Sequence, residues 1–165
     1  MSRGRIALAA LALSLMAAPA LAWAQATVLL VRHAEKVDES DDPPLSDAGR
    51  QRAEALAKLL AQSGISAIYT SQYQRTIQTA APLARALGLQ PTVVQAKAAD
   101  DLVARLRQMN PDQVALVVGH SNTIPEIAAK LGVSRPMTTE EIEYGLLLLL
   151  APGPEGSCRM MRLRF

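Results

Sequence analysis

Two kinds of hydrophobic pattern alternate along the chain. Continuous apolar runs of strand length occur at ATVLLVR, residues 26–32, and at DQVALVVG, residues 112–119, which is typical of strands buried on both faces. Elsewhere the apolar residues recur every three or four positions. This spacing predicts four amphipathic helices, at residues 46–62, 73–87, 100–109 and 123–131. Their buried stripes are expected to include Leu59 in the first helix and Ile77 in the second.

Weaker apolar patterns predict four further strands, at residues 65–71, 91–96, 144–151 and 158–165. The turn PGPEGS joins the last two, which predicts a β-hairpin at a sheet edge. Strands and helices otherwise alternate, and this alternation implies a mostly parallel sheet with helices on both faces. The predicted fold class is therefore α/β, a three-layer α/β/α sandwich with a mostly parallel central sheet and a C-terminal β-hairpin. The length of 165 residues suits one such domain.

The N-terminal residues have a pattern of their own. Arg3 and Arg5 precede an apolar run, and small residues follow it. This order is typical of a secretory signal peptide. It predicts a signal peptide at residues 1–24 and a folded domain at residues 25–165. The protein is then expected to be periplasmic or secreted, with no stable membrane span after cleavage.

Two details of this leader stay open. Small residues in alternate positions allow cleavage after Ala22, Ala24 or Ala26. The uncharged stretch at residues 6–26 is also long enough for an uncleaved membrane anchor, so its length alone does not decide between the two.

Charge and composition limit the partners. The chain has 17 Lys and Arg against 15 Asp and Glu, and removal of Arg3 and Arg5 with the leader would leave 15 of each. A neutral domain with 3% aromatic residues has little with which to bind nucleic acid, so no nucleic-acid partner is expected. The single cysteine, Cys158, permits no disulfide within one chain and is predicted to be a buried thiol.

Polar residues follow three of the predicted strands. Arg32 and His33 come directly after the first strand, Ser71 ends the second with Arg75 one turn beyond, and GHSN at residues 119–122 ends the fourth. Both histidines of the chain belong to this set. Because the carboxyl ends of parallel strands meet at one edge of a sheet, we expect these side chains to form one site.

Two histidines beside two arginines are poorly suited to a metal ion. A zinc site normally takes three or four protein ligands, and guanidinium groups repel a dication, so no metal and no cofactor is expected. Guanidinium groups instead match the oxygens of a phosphoryl group. One histidine could then attack phosphorus and form a phosphohistidine, which splits hydrolysis into two easier steps.

The segments LVRHAEK, SQYQRTIQTA and VGHSN resemble motifs of the histidine phosphatase (phosphoglycerate mutase-like) superfamily, and PLSDAGRQRAEAL resembles a further segment of it. The first motif of the family is Arg-His-Gly, whereas Ala34 stands in the third position here. The resemblance implies hydrolysis without a metal, with His33 as the nucleophile. It also implies three residues that bind the phosphoryl group: Arg32, Arg75 and His120.

The general acid that protonates the leaving group is less clearly marked. Many family members place a glutamate after the third strand, where this chain has Asp100 and Asp101. Two acids at a helix N-terminus are also what helix capping and the helix dipole favour. Glu35 and the acidic loop at residues 38–42 are the alternatives.

Two further residues near the motifs are predicted to contact the substrate. Lys36 lies three positions after His33, and Asn122 lies two positions after His120. A solvated surface lysine and a helix-capping asparagine are the plain alternatives.

The sequence therefore predicts a phosphatase, a phosphoric monoester hydrolase that works through a phosphohistidine intermediate. Its expected substrate is a phosphorylated small molecule or an envelope phosphate outside the cytoplasm. The alternatives are a phosphoprotein (phosphohistidine) phosphatase of the minimal type and a phosphate-binding protein without turnover.

Overall fold

The computed structural model describes residues 26–135, 137–153 and 157–165. The predicted signal peptide, residues 1–24, lies outside the described residues. Within them, strands and helices alternate until a final pair of strands. The elements are β1 (Thr27–Arg32), α1 (Asp47–Leu60), β2 (Ile65–Thr70), α2 (Gln74–Leu87), β3 (Thr92–Val93), α3 (Ala99–Arg107), β4 (Val114–Gly119), α4 (Thr123–Lys130), β5 (Leu146–Pro152) and β6 (Cys158–Arg164).

The strands form one sheet in the order β3-β2-β4-β1-β5-β6. The first four are parallel, and β5 and β6 pair antiparallel at the other side of the sheet. Helices α1 and α2 pack on one face, and α3 and α4 pack on the other. The predicted α/β class and the C-terminal hairpin are thereby confirmed. Of the helices described, none combines the length and the apolar character required to cross a bilayer.

The central position of β1 and β4 explains why their sequences are apolar without a break. Neighbouring residues of β1 face opposite cores: Leu30 packs with α3 and α4, whereas Leu29 packs with α1 and α2. In β4, Val117 and Leu116 divide in the same way. Because water reaches neither face, every position in these strands favours an aliphatic side chain.

The register of the central strands determines which loops meet. Arg32, the last residue of β1, lies opposite Gly119, the last residue of β4. β2 is the other neighbour of β4 and ends beside them. The residues that follow these three strands are therefore neighbours at one edge of the sheet: His33, Ser71 and His120.

The buried stripes of α1 and α2 differ from the prediction at two positions. Leu59 is 51% exposed and Ile77 is 39% exposed. In α2 the inward positions belong to Thr76 and Thr79, which are buried and hydrogen-bonded through their hydroxyls. Hydrophobic periodicity cannot detect a threonine that is buried for its hydroxyl. In α1, Leu59 borders an apolar groove together with Leu163 of β6.

Smaller differences concern element ends and one thiol. α1 ends at Leu60, two residues before the predicted end. Cys158, predicted to be buried, is only partly buried because β6 is an edge strand. Its partial burial raises the pKa of the thiol.

The start of α1 packs against the loop that carries His33. Ser46 caps the helix, because its Oγ accepts a hydrogen bond from the Gly49 N–H at 3.1 Å and donates to the Glu35 carbonyl at 3.2 Å. Gly49 lies against the same loop, and a Cβ atom there would be 2.1 Å from the Glu35 carbonyl oxygen. Glycine at position 49 therefore permits the close approach that seats the loop after β1.

Replacement of Gly49 by alanine should lower the free energy of unfolding by about 3 kcal/mol, because backbone atoms must move to admit the methyl group. The matched control is Gly64→Ala, where φ is 72° and no atom lies within 4 Å of the added carbon. That substitution should cost about 1 kcal/mol through backbone conformation alone. Urea unfolding measures both. An equal or larger loss at Gly64 would contradict the packing role of Gly49.

Candidate active site

His33 follows β1 with 5% of its surface exposed. Its backbone N–H donates to the Gly119 carbonyl at 2.9 Å, which continues the β1–β4 pairing beyond the strand. Its ring Nδ1 lies 2.8 Å from the carbonyl oxygen of Ala34. Because a carbonyl oxygen only accepts, Nδ1 carries the proton, and the neutral ring keeps its lone pair on Nε2. Nε2 is therefore the nucleophilic atom of this ring.

His120 follows β4 and lies beside His33, with the ring centroids 5.3 Å apart. Its Nε2 is 2.9 Å from the Oγ of Ser71, which is itself buried. Its backbone N–H donates to the Thr123 Oγ1 at 3.0 Å, at the start of α4. These hydrogen bonds fix the ring at the end of the strand and leave Nδ1 as the nitrogen that can meet a ligand.

Arg32 and Arg75 bring two guanidinium groups to the histidine pair. Arg32 donates from Nη1 to the Ile142 carbonyl at 3.1 Å, and Arg75 donates from Nη1 to the Asp41 carbonyl at 3.2 Å. The Nε of Arg32 is buried and has no hydrogen-bond partner. Nη2 of Arg32 also donates to the Tyr144 hydroxyl at 3.3 Å, and the remaining donors of both groups are left for an anion.

The two histidines are uncharged at neutral pH. Burial, assisted by the charges of Arg32, Arg75 and Lys36, lowers the pKa of His33 from 6.5 to about 4. Burial, followed by the effects of His33 and the two arginines, lowers the pKa of His120 to about 4. The lone pair of His33 is therefore available without prior loss of a proton.

Thr79 joins two of the motif segments. Its Oγ1 accepts a hydrogen bond from the Ala34 N–H at 2.9 Å and donates to the Arg75 carbonyl at 2.7 Å. Thr76 similarly places its Oγ1 2.9 Å from the Oγ of Ser71, the residue that holds His120. No role for these hydroxyls was expected from the sequence. The sequence signal for them is the presence of Thr76 and Thr79 at positions of α2 where apolar residues are expected.

Asp100 and Asp101 do not lie beside the histidine pair. Asp100 forms an ion pair with Lys130 at 2.6 Å, and its side chain is 86% exposed. Asp101 is also exposed. The crevice next to His120 is lined instead by uncharged residues of the β3–α3 connection: Gln95, Ala96 and Ala98. The ion pair with Lys130 directs Asp100 toward α4, and the role of either aspartate as the general acid stays a prediction.

Glu35 is no better placed as an acid. The Nε of Arg52 donates to both of its carboxylate oxygens, at 2.9 and 2.8 Å. Hydrogen bonding from Arg52 is the largest cause that lowers the pKa of Glu35, so the carboxylate has no proton to give at neutral pH. In the acidic loop, Asp42 accepts a hydrogen bond from the Gln74 N–H at 2.8 Å and caps α2. The pairing with Arg52 disfavours Glu35 as the general acid, and that role stays a prediction.

Lys36 and Asn122 lie close to the site along the chain. Lys36 forms an ion pair with Glu39, and its charge acts on His33. Asn122 is exposed before α4 and makes no capping hydrogen bond through its side chain. Their contacts with a substrate stay predictions. Across the described ranges, no group of three or more His, Cys, Asp or Glu residues is arranged to hold a metal ion.

This chain is similar to a known protein family and to a protein of known sequence. Residues 28–98 match the family model of the histidine phosphatase superfamily (branch 1). A stretch of 53 residues is 49% identical to the PE-PGRS family protein PE_PGRS11 of Mycobacterium tuberculosis, over 32% of this chain. This match spans only 9% of the length of that protein.

Solved structures share the fold over nearly their whole length. A mycobacterial glucosyl-3-phosphoglycerate phosphatase in complex with inorganic phosphate is 18% identical, with a TM-score of 0.67 over 85% of this chain and 96% of that one. The protein histidine phosphatase SixA complexed with tungstate is 17% identical, with a TM-score of 0.64 over 84% and 96% of the chains. A structure from Agrobacterium tumefaciens that bears the name phosphohistidine phosphatase SixA is 22% identical, with a TM-score of 0.64 over 84% and 98%.

Residues 28–98 are thus similar to the histidine phosphatase superfamily, and most of the chain shares its fold with solved phosphatase structures. The resemblance found in the motifs and the expected class of enzyme, a phosphatase, are thereby confirmed.

The lowered pKa values can be measured on the two histidines, which are the whole histidine content of the chain. A proton NMR titration should show both rings losing their charge with midpoints near 4 rather than 6.5. His120→Asn assigns the remaining signal to His33. Saturating inorganic phosphate should raise both pKa values, because a bound anion favours the imidazolium form. Midpoints of 6.5 or higher in the free protein would contradict the buried, positively charged site.

Proposed function

We propose that this chain hydrolyses phosphoryl compounds without a metal, through a phosphohistidine intermediate on His33, outside the cytoplasm. The observation that carries the proposal is the arrangement of His33. Its Nδ1 proton is held by the Ala34 carbonyl, its Nε2 has the lone pair, and its lowered pKa keeps that lone pair free. A nucleophile of this kind beside two guanidinium groups suits attack on a phosphoryl group.

In the first step, the Nε2 lone pair of His33 forms a bond to phosphorus as the bond from phosphorus to the leaving atom breaks. The phosphorylated ring then carries a positive charge, since Nδ1 keeps its proton. The hydrogen bond from Nδ1 to the Ala34 carbonyl at 2.8 Å stabilises that charge. The same hydrogen bond fixes the ring plane, so that Nε2 meets the substrate with little reorganisation.

Arg32, Arg75 and His120 would bind the three peripheral oxygens of the phosphoryl group. Negative charge on these oxygens is what the site must accommodate in the transition state. The donors of two guanidinium groups do so directly, and a dication beside them would be repelled. In the second step, water attacks phosphorus, the bond to Nε2 breaks, and the ring recovers its lone pair.

The leaving group receives its proton from water in this proposal. Glu35 is held by Arg52 and Asp100 by Lys130, and the crevice beside His120 has the neutral residues Gln95, Ala96 and Ala98 on its β3–α3 side. A leaving group that departs with little assistance is therefore favoured. This restricts efficient turnover to aryl phosphates, phosphoramidates and comparable compounds.

The same observation favours a second candidate, a phosphohistidine phosphatase. The imidazole of a phosphohistidine is a good leaving group and needs little help from an acid. The shared fold with SixA is consistent with this substrate, although an identity of 17 to 22% carries the fold alone. The substrate would then be a phosphoprotein rather than a small molecule.

Residues 1–24 are the basis for an extracytoplasmic location. A phosphorylated small molecule or an envelope phosphate would be the substrate available there. N-terminal sequencing of the protein from a periplasmic fraction tests this location. An uncleaved protein that faces the cytoplasm would favour the phosphoprotein candidate instead.

Purified protein should hydrolyse an aryl phosphate in the presence of a chelator, and His33→Ala should lower kcat by about three orders of magnitude. Within a series of aryl phosphates, kcat should fall steeply as the pKa of the leaving phenol rises, because no acid compensates. A steady-state phosphate-release assay measures both effects.

Asp100→Asn and Asp101→Asn are the matched controls and should leave kcat unchanged. A loss of turnover in either variant, with folding preserved, would restore a general acid to the mechanism. Turnover that depends on an added divalent ion would contradict the metal-independent reaction.

A further inference from the structure

Two of the three tyrosines stack on the two arginines of the site. The guanidinium carbon of Arg32 lies 4.1 Å from the ring centroid of Tyr144, and that of Arg75 lies 4.2 Å from the ring centroid of Tyr73. In a chain with 3% aromatic residues, this repeated pairing at one site is a specific use of a scarce residue type.

Each guanidinium group is also fixed along one edge. Arg32 donates to the Ile142 carbonyl at 3.1 Å, and Arg75 donates to the Asp41 carbonyl at 3.2 Å. A planar group held by one face and one edge has a defined orientation. Arg32 has a further hydrogen bond, from Nη2 to the Tyr144 hydroxyl at 3.3 Å, and the remaining N–H groups of both arginines stay available to an anion.

The contrast with Arg52 shows what this arrangement avoids. Arg52 is held by the carboxylate of Glu35, at 2.8 and 2.9 Å, and its charge is neutralised there. Asp42, by comparison, is 3.8 Å from Arg75 and caps α2. An aromatic ring and a backbone carbonyl can orient a guanidinium group without cancelling its charge.

The same rings border the histidines. Tyr73 lies edge-on to His120, with the centroids 5.4 Å apart, and Tyr144 lies 6.0 Å from His33. Each tyrosine therefore joins one arginine to one histidine. Arginine orientation and histidine position are coupled through these two side chains.

We propose that Tyr73 and Tyr144 are positioning residues that hold Arg75 and Arg32 ready for a phosphoryl dianion without adding a negative charge of their own. The role rests on the proposed function, because it concerns the same site. For Tyr73 the role belongs to the ring face. Tyr144 adds a hydroxyl that accepts a hydrogen bond from Nη2 of Arg32 at 3.3 Å.

Isothermal titration with inorganic phosphate tests the role without requiring turnover. Tyr73→Leu and Tyr144→Leu should each weaken phosphate binding about tenfold, which is the scale of one partly buried cation–π contact. Tyr73→Phe keeps the ring and should restore binding to within about twofold of the original protein. Tyr144→Phe keeps the ring but loses the hydrogen bond from Arg32, so its binding should lie between that of Tyr144→Leu and that of the original protein. In the aryl phosphate assay, the leucine variants should raise KM more than they lower kcat.

Phe165→Leu is the matched control, because this aromatic ring packs against the core on the α1 and α2 side of the sheet. It should leave phosphate binding unchanged, and circular dichroism verifies that each variant folds. Unchanged binding in the two site leucine variants would overturn the proposal, as would phenylalanine variants that lose as much as leucine. If the original protein binds no phosphate, the arginines form no phosphate site and the proposal also fails. If phosphate binds as described but no substrate is turned over, the proposed function fails and the positioning role stands.

Discussion

The parallel pairing of β1 with β4 is the constraint on which the rest of the site depends. It sets Arg32 opposite Gly119, and the pairing extends to the His33 N–H, which donates to the Gly119 carbonyl at 2.9 Å. A shift of one residue would reverse the faces of β1 and expose its aliphatic side chains, because both cores are built on strict alternation. The hydrophobic core therefore fixes the position of His33 relative to His120.

Electrostatics follows from this placement. Two imidazoles lie next to two guanidinium groups, and burial together with these positive charges keeps the pKa of both rings near 4. The positive charge of the site comes from the guanidinium groups and not from the imidazoles, so His33 keeps its lone pair. Carboxylates are used elsewhere: Glu35 holds Arg52, Asp42 caps α2, and Asp100 pairs with Lys130. Among the described residues, Arg32 has no carboxylate within ion-pair distance, and Arg75 has only a long contact with Asp42 at 3.8 Å.

The fold and the central residues of the site could be predicted from the sequence because they obey simple rules. Apolar runs mark the buried strands, and polar residues at their carboxyl ends indicate a shared edge. Contacts through space could not be predicted in this way. Thr76 and Thr79, rather than Ile77, occupy the inward positions of α2, because their hydroxyls form hydrogen bonds with other segments of the chain. No residue near Tyr144 in the sequence indicates its contact with Arg32.

Transfer of phosphorus to Nε2 of His33 is tested most directly by trapping the phosphorylated protein. Purified protein mixed with a radiolabelled aryl phosphate, quenched rapidly in alkali and mapped by mass spectrometry should carry the phosphoryl group on His33. The label should survive alkali, be lost in acid, and be absent from His33→Asn. Label on another residue, or turnover during which no label accumulates on His33 at any quench time, would contradict the proposed intermediate.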